Sequence, residues 1–322
     1  MRKAVLVGVA TTAAVALVWG ILIGAGRPDE QSGDRRAAVV AVAAPPLAAY
    51  LPTQRQNTEL TEALSVVARS CMQRYGITTA SVVSDAWILE TAARPVPLYV
   101  PEAQARTSGY HEPSPGEADG VGSGAPADGG RGGPQSALST EQRAVYETLM
   151  NGWAARPGSP RTYRGESVPR FGCLGEADAA LMRGGPRPVG FDGKPADNSV
   201  DVLNITLELI DRADRMARND SGYRSMVKEW SRCMAEAGHR YATPEAARDD
   251  GWFDRPAPTD RERDLAVQDT RCKDEVSYVA IVSALEQSTQ RRMIERHRPL
   301  LDLVNGNIEA RMKNAREIVR NG

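Results

Sequence analysis

The sequence predicts a mainly α protein: disulfide-stapled helical units with a long C-terminal helix or helical hairpin, preceded by an N-terminal transmembrane helix. Three observations lead there. Apolar residues recur at helical spacing through most of the chain. Four cysteines stand in two matched contexts, and an uncharged run fills residues 4–25. With 322 residues, 41% hydrophobic and 25% charged, the composition is globular. A formal net charge of -1 argues against a nucleic-acid partner, since phosphate binding announces itself as a strongly basic domain.

Residues 1–26 read as a signal-anchor. Arg2-Lys3 precedes the uncharged run, whose 22 residues exceed the roughly 7–15 of a secretory signal and match the about 20 of a spanning helix. The two cations hold the short tail in the cytoplasm, which places the bulk of the chain outside. The cell membrane, crossed once, is the expected location; secretion after cleavage at the poor site Gly24-Ala25-Gly26 is the alternative. Residues 27–56 are expected to be an extracytoplasmic tether, because Pro45-Pro46 and Pro52 forbid a continuous helix.

The first helical unit is expected over 57–198. Asn57-Thr58-Glu59 opens a helix whose stripe is Leu60, Leu64, Val67, Cys71 and Tyr75, with Gly76 at its end. Residues 77–83, rich in Ile, Thr and Val, suggest a short strand. Residues 107–136 hold nine Gly and four Pro, too little apolar surface to offset ordering, and are expected to be a disordered loop. Ser139-Thr-Glu-Gln142 is a capping box, and a further helix begins near Cys173.

The second unit is expected over 199–322. Asn198-Ser199 starts a helix with the stripe Val202, Ile205, Leu209, Ala213 and Met216. From Ser221 a second helix carries Met226, Trp230, Cys233 and Ala237 on one face and ends at Gly238, with Trp230 as its structural anchor. Thr243-Pro244-Glu245 restarts the helix, and Thr259-Asp-Arg-Glu262 is another capping box. Beyond it nothing breaks the pattern before Arg298-Pro299, where a kink is expected. Arg291, Arg292, Glu295 and Arg296 form a solvated face.

Four cysteines permit three pairings. Cys71 and Cys233 share Cys-Met-x-x-x-Gly, whereas Cys173 and Cys272 share Cys-x-x-Glu followed by a small or branched apolar residue. An internal duplication would pair Cys71 with Cys173 and Cys233 with Cys272. Closing those loops would contribute about 4 kcal/mol for the shorter and nearly 5 kcal/mol for the longer in the chain-entropy model. A metal site is disfavoured by thiols far apart in sequence without neighbouring His, so no metal or cofactor is expected.

Of the three histidines, His239, next to Tyr241, is the one candidate general base, with a surface residue at the helix end as the rival reading. His111 lies in the glycine-rich loop, His239 follows a helix end, and His297 stands beside Pro299. No nucleophile elbow, His-Glu-x-x-His, P-loop or dinucleotide fingerprint is present. Trp230 and Trp252 read as core residues, with a ligand groove as the rival reading.

Leu149-x-x-Gly152, Gly172-Cys173-Leu-Gly-Glu-Ala177, Trp230-Ser-Arg-Cys-Met-x-x-x-Gly238-x-x-Tyr241-x-x-Pro244-x-x-Ala247 and Ala266-x-x-Asp269-x-x-Cys272 together resemble a group of actinobacterial exported proteins. The resemblance covers most of residues 60–320. It implies an envelope location, often beside transport genes, and transfers no catalytic residue. That group has no assigned activity and often carries the label lipoprotein; this chain lacks the lipid-bearing cysteine, which favours the anchor. The expected function is a non-enzymatic extracytoplasmic binding or accessory module of the cell envelope, docking on a membrane protein such as a transporter through the C-terminal helices. An envelope hydrolase with its site in a cleft between the two units, and a structural spacer, are the alternatives.

Overall fold

Thr53 begins the ordered framework. Its hydroxyl accepts from the Gln56 backbone while the Gln56 side chain accepts from the Thr53 N–H, which satisfies two orphan amides of a helix start. Helix α1, Gln54–Arg74, therefore opens three residues ahead of the expected Asn57. A computed structural model of the chain describes residues 43–78, 89, 92, 96, 98–111, 138–155, 158–254 and 257–322. The expected signal-anchor over 1–26, most of the expected tether, the part beyond residue 78 of the expected strand and the part over 112–137 of the expected loop lie outside the described residues.

Among the described residues the chain forms nine α-helices and two disulfides, and ends in a long helix. After α1 come α2 (Glu102–Ser108), α3 (Thr140–Asn151) and α4 (Gly172–Leu181). They are followed by α5 (Ser199–Arg218), α6 (Ser221–Glu236) and α7 (Pro244–Arg248). Helices α8 (Asp260–Glu275) and α9 (Tyr278–Asn321) complete the chain. Two-residue strands β1 (Thr162–Tyr163) and β2 (Glu166–Ser167) make a small antiparallel hairpin. Capping boxes stand at Ser139–Gln142 and Thr259–Glu262, and Thr243 caps α7 through the Ala246 N–H.

Helix α9 is the spine. Its first half packs on α5, α6 and α8, its second half on α1, α4 and α5, and it bends at His297 (φ -114°, ψ 20°), two residues before Pro299. The bend follows from Pro299, which has no N–H to give and crowds the preceding turn. Residues 42–322 form a single compact unit, and among the described residues four of the five hydrophobic clusters draw on both halves of the chain. One cluster joins Leu60 and Ala63 of α1, Leu181 of α4, Val202 and Ile205 of α5, and Val304, Ile308 and Met312 of α9.

Several expectations are corrected. The last part of the tether is built into the core: a 3-10 turn, Pro46–Tyr50, seats Leu47 with no exposed surface, and the Leu47 N–H donates to Gln290 at 2.9 Å. Two leucines scattered among Ala and Pro carry no periodic signal, so this docking is invisible to pattern. The first residues of the loop expected from 107 are instead ordered: Thr107 and Ser108 close α2, and Tyr110 is a core residue, 4% exposed. The uninterrupted helix expected after Thr259 is two helices, divided at Ser277, which adopts left-handed backbone (φ 56°, ψ 38°). That conformation redirects the chain so that Tyr278 enters the cluster of Tyr223 and Met226. Finally, Met234 rather than Ala237 continues the Met226–Trp230 stripe, and Met216 is 37% exposed.

Candidate functional site

The disulfides join Cys71 to Cys173 and Cys233 to Cys272. The first ties α1 to the start of α4, and its geometry depends on two glycines. Gly152 (φ 83°) and Gly172 (φ 64°) meet backbone to backbone; a Cβ on Gly152 would lie 2.2 Å from the Arg170 carbonyl oxygen. Only glycine permits that approach, and it sets Cys173 beside Cys71.

The second disulfide flanks a buried charged cluster around Trp230. The indole Nε1 donates to Asp269 Oδ1 at 2.9 Å, and Tyr110 donates to Asp269 Oδ2 at 3.2 Å. Lys273 Nζ reaches the same oxygen at 2.7 Å and also donates to the Leu98 carbonyl. Asp269 and Lys273 are each 1% exposed. Burial pushes the Asp269 carboxyl up and the Lys273 ammonium down, and each charge opposes the shift of the other. Nearby, Glu262 accepts from the Tyr110 N–H at 3.0 Å and contacts His111 Nδ1 at 2.8 Å. These groups answer one another. The arrangement pins residues 98–111 onto α8, and Trp230, fully buried, serves as its anchor.

Trp252 is likewise core, 4% exposed, with Nε1 donating to the Ala247 carbonyl. His239 is half-buried after α6, and His297 stacks edge-on against Phe191 at 5.5 Å. The three histidines remain apart, and among the described residues no group of three His, Cys, Asp or Glu side chains is placed to hold a metal. No described helix is long and apolar enough to cross a membrane.

A different place stands out. Among the described residues only two buried side-chain polar atoms lack a hydrogen-bond partner, Asn307 Oδ1 and Arg311 Nε. Both lie on α9, one turn apart. Arg311 is 8% exposed and lines a cavity of about 80 Å³ between α1, α5 and α9. Leu60, Leu64, Leu89, Val202, Val304 and Ile308 supply aliphatic wall, while Asn57, Thr61 and Ser199 add polar groups. The charge nearest in effect is Asp178, which raises the Arg311 pKa against the stronger lowering by burial. Asp178 is already engaged, accepting from the Ser199 N–H at 3.0 Å. A largely buried guanidinium whose Nε has no partner and which pairs with no anion is costly, because the low-dielectric surroundings do not replace lost water.

Sequence reasoning missed Arg311. It sits between Ala310 and Met312 in a helix with many exposed arginines, and the residues that line the cavity with it come from α1 and α5, more than a hundred positions earlier. Comparison of the chain with protein-family models, curated proteins and solved structures gives no significant match.

Proposed function

We propose that this chain is a non-enzymatic binding or accessory module of the cell envelope, acting outside the cytoplasm, whose ligand presents a negative charge to Arg311. The unpaired, buried Arg311 carries the reading. A largely buried cation whose Nε lacks a partner is explained by what it gains when an anion arrives. Hydroxyl and amide groups among aliphatic walls suit holding a ligand rather than moving a proton. Two disulfides suit an oxidising compartment.

Docking on a membrane partner through α9 is part of the same reading. Met293, Leu301, Val304, Ile308 and Met312 face the protein's own core, so a partner would meet the charged side bearing Arg291, Arg292, Glu295 and Arg296. Photo-crosslinkers at Arg292 and Glu295 in intact cells should trap a membrane protein; capture of lipid alone counts against this docking. The binding role is tested by thermal unfolding of the full chain in chloride against formate, acetate, sulfate and phosphate. A rise in midpoint with at least one of these anions, absent in Arg311→Met, is expected. No response to any of them would remove the reading.

A further inference from the structure

We infer that the Arg311 cavity takes the carboxylate end of an aliphatic monoacid, whose alkyl part leaves past Val200 and Leu203. This rests on the anion-binding reading above and names the anion's class. Four observations converge. The cavity, at about 80 Å³, is roughly half the 150 Å³ that accommodates benzene, so it encloses about three heavy atoms. That is a carboxylate group alone, one carbon and two oxygens, whereas phosphate or sulfate needs five atoms.

Charge points the same way. Arg311 supplies one positive charge, and the Asp178 field already acts on it, so it can pair with a monoanion, whereas a dianion would keep a buried charge that nothing compensates. The first turn of α5 lines the cavity with Ser199 and Val200, its Ser199 N–H being held by Asp178. The unpaired atom is Nε, which together with one Nη forms the edge of a guanidinium that receives both oxygens of a planar carboxylate. Lastly, the walls are aliphatic, and Val200 beside the mouth is 52% exposed, an apolar surface that an alkyl chain would cover.

The test is calorimetric titration of the full chain, in a nonionic detergent, with hexanoate, hexanol, hexyl phosphate, inorganic phosphate and N-acetylalanine. Hexanoate should bind at least tenfold more tightly than each of the others. Arg311→Met should lose at least tenfold in hexanoate affinity, and Arg311→Lys, which keeps the charge but not the paired donors, should lose less. Should Arg311→Met fail to fold, Val200→Asp tests the same site from an exposed helix-start position that favours an acid; it should weaken hexanoate several-fold. Hexyl phosphate or inorganic phosphate binding as tightly as hexanoate would overturn the carboxylate assignment while leaving an anion site. Equal binding of N-acetylalanine would overturn its aliphatic part. Hexanoate binding that survives both substitutions, or a crystal structure with one of the chain's own carboxylates on Arg311, would overturn the inference outright. Absence of binding by every anion would remove the anion-binding reading with it.

Discussion

Arg311 and Asp269 show two ways a charge is buried in the same fold. Asp269 is surrounded by donors from Trp230, Tyr110 and Lys273, whereas Arg311 Nε has no partner. Replacing an unpaired buried charge by an apolar side chain of similar length removes a desolvation cost. Arg311→Met in the ligand-free protein is therefore expected to be neutral or up to about 3 kcal/mol more stable, read as an unchanged or higher urea midpoint. A clear loss of stability would show Arg311 to be a structural residue. Glu286 makes a pH-dependent contribution. Burial pushes its pKa up to about 7, with the Val96 N–H at 3.4 Å opposing. A carboxyl raised on folding binds its proton more tightly in the native state, so its contribution is complete below the ordinary Glu range near 4.5 and is lost as pH rises through about 7. The wild-type midpoint should fall between pH 5 and pH 8, and Glu286→Gln should flatten that slope. Of these residues, Trp230 and the cysteines were legible in the sequence, because an aromatic and a thiol on one helical face announce a buried seam. Arg311 and Glu286 were not, since an ionisable residue on an amphipathic helix looks exposed until its neighbours from distant segments are known.

At the scale of elements, legibility follows locality. The capping boxes at Ser139 and Thr259 are encoded within four residues, and both form. The break at Ser277 has no glycine or proline to mark it; burial of Tyr278 on one side and the Cys233–Cys272 staple on the other override the local helical preference. Similarly, Tyr110 is drawn into the core by Asp269, which stands 159 positions away, while the glycines around it read as a loop. The contact between Gly152 and Gly172 gives the element scale its sharpest test. A methyl group at residue 152 would overlap the backbone at 170–172, with atoms as close as 2.2 Å and no flexible side chain to yield. Positive φ at the same residue adds strain. Gly152→Ala should therefore cost at least about 3 kcal/mol, in the range of core overpacking plus backbone strain. Because the glycine pair sets Cys173 beside Cys71, the variant should also show alkylatable Cys71 and Cys173 in non-reducing mass analysis. Retention of both stability and the disulfide would contradict this role for the turn.

For the molecule as a whole, the question is whether the two cysteine pairs mark two folding units. The sequence divides at 198, and each disulfide closes within one half. The hydrophobic clusters do not respect that division. Leu47, Leu60, Val96, Ala105, Tyr110 and Leu181, all from the first half, pack in clusters completed by α5, α6, α8 and α9. Among the described residues only the cluster around Cys71, Tyr75 and Tyr146 is drawn from one half alone. Removing the second half would leave Leu60, Ala63, Leu181 and Met182 facing water, and the side of α1 and α4 that α9 covers would be bare. At about 25 cal/mol per Å² of apolar surface, several uncovered large side chains amount to several kcal/mol, comparable with a domain's net stability of roughly 5–15 kcal/mol. The disulfide in that half limits the unfolded chain but cannot supply the missing surface. A fragment spanning 43–198 is accordingly expected to lack a cooperative urea transition by circular dichroism and to protect few amides from hydrogen exchange, whereas 43–322 should unfold in one transition. If the fragment instead melts cooperatively with its Cys71–Cys173 bond formed, the halves are independent units, and the shared clusters are an interface between them rather than a common core.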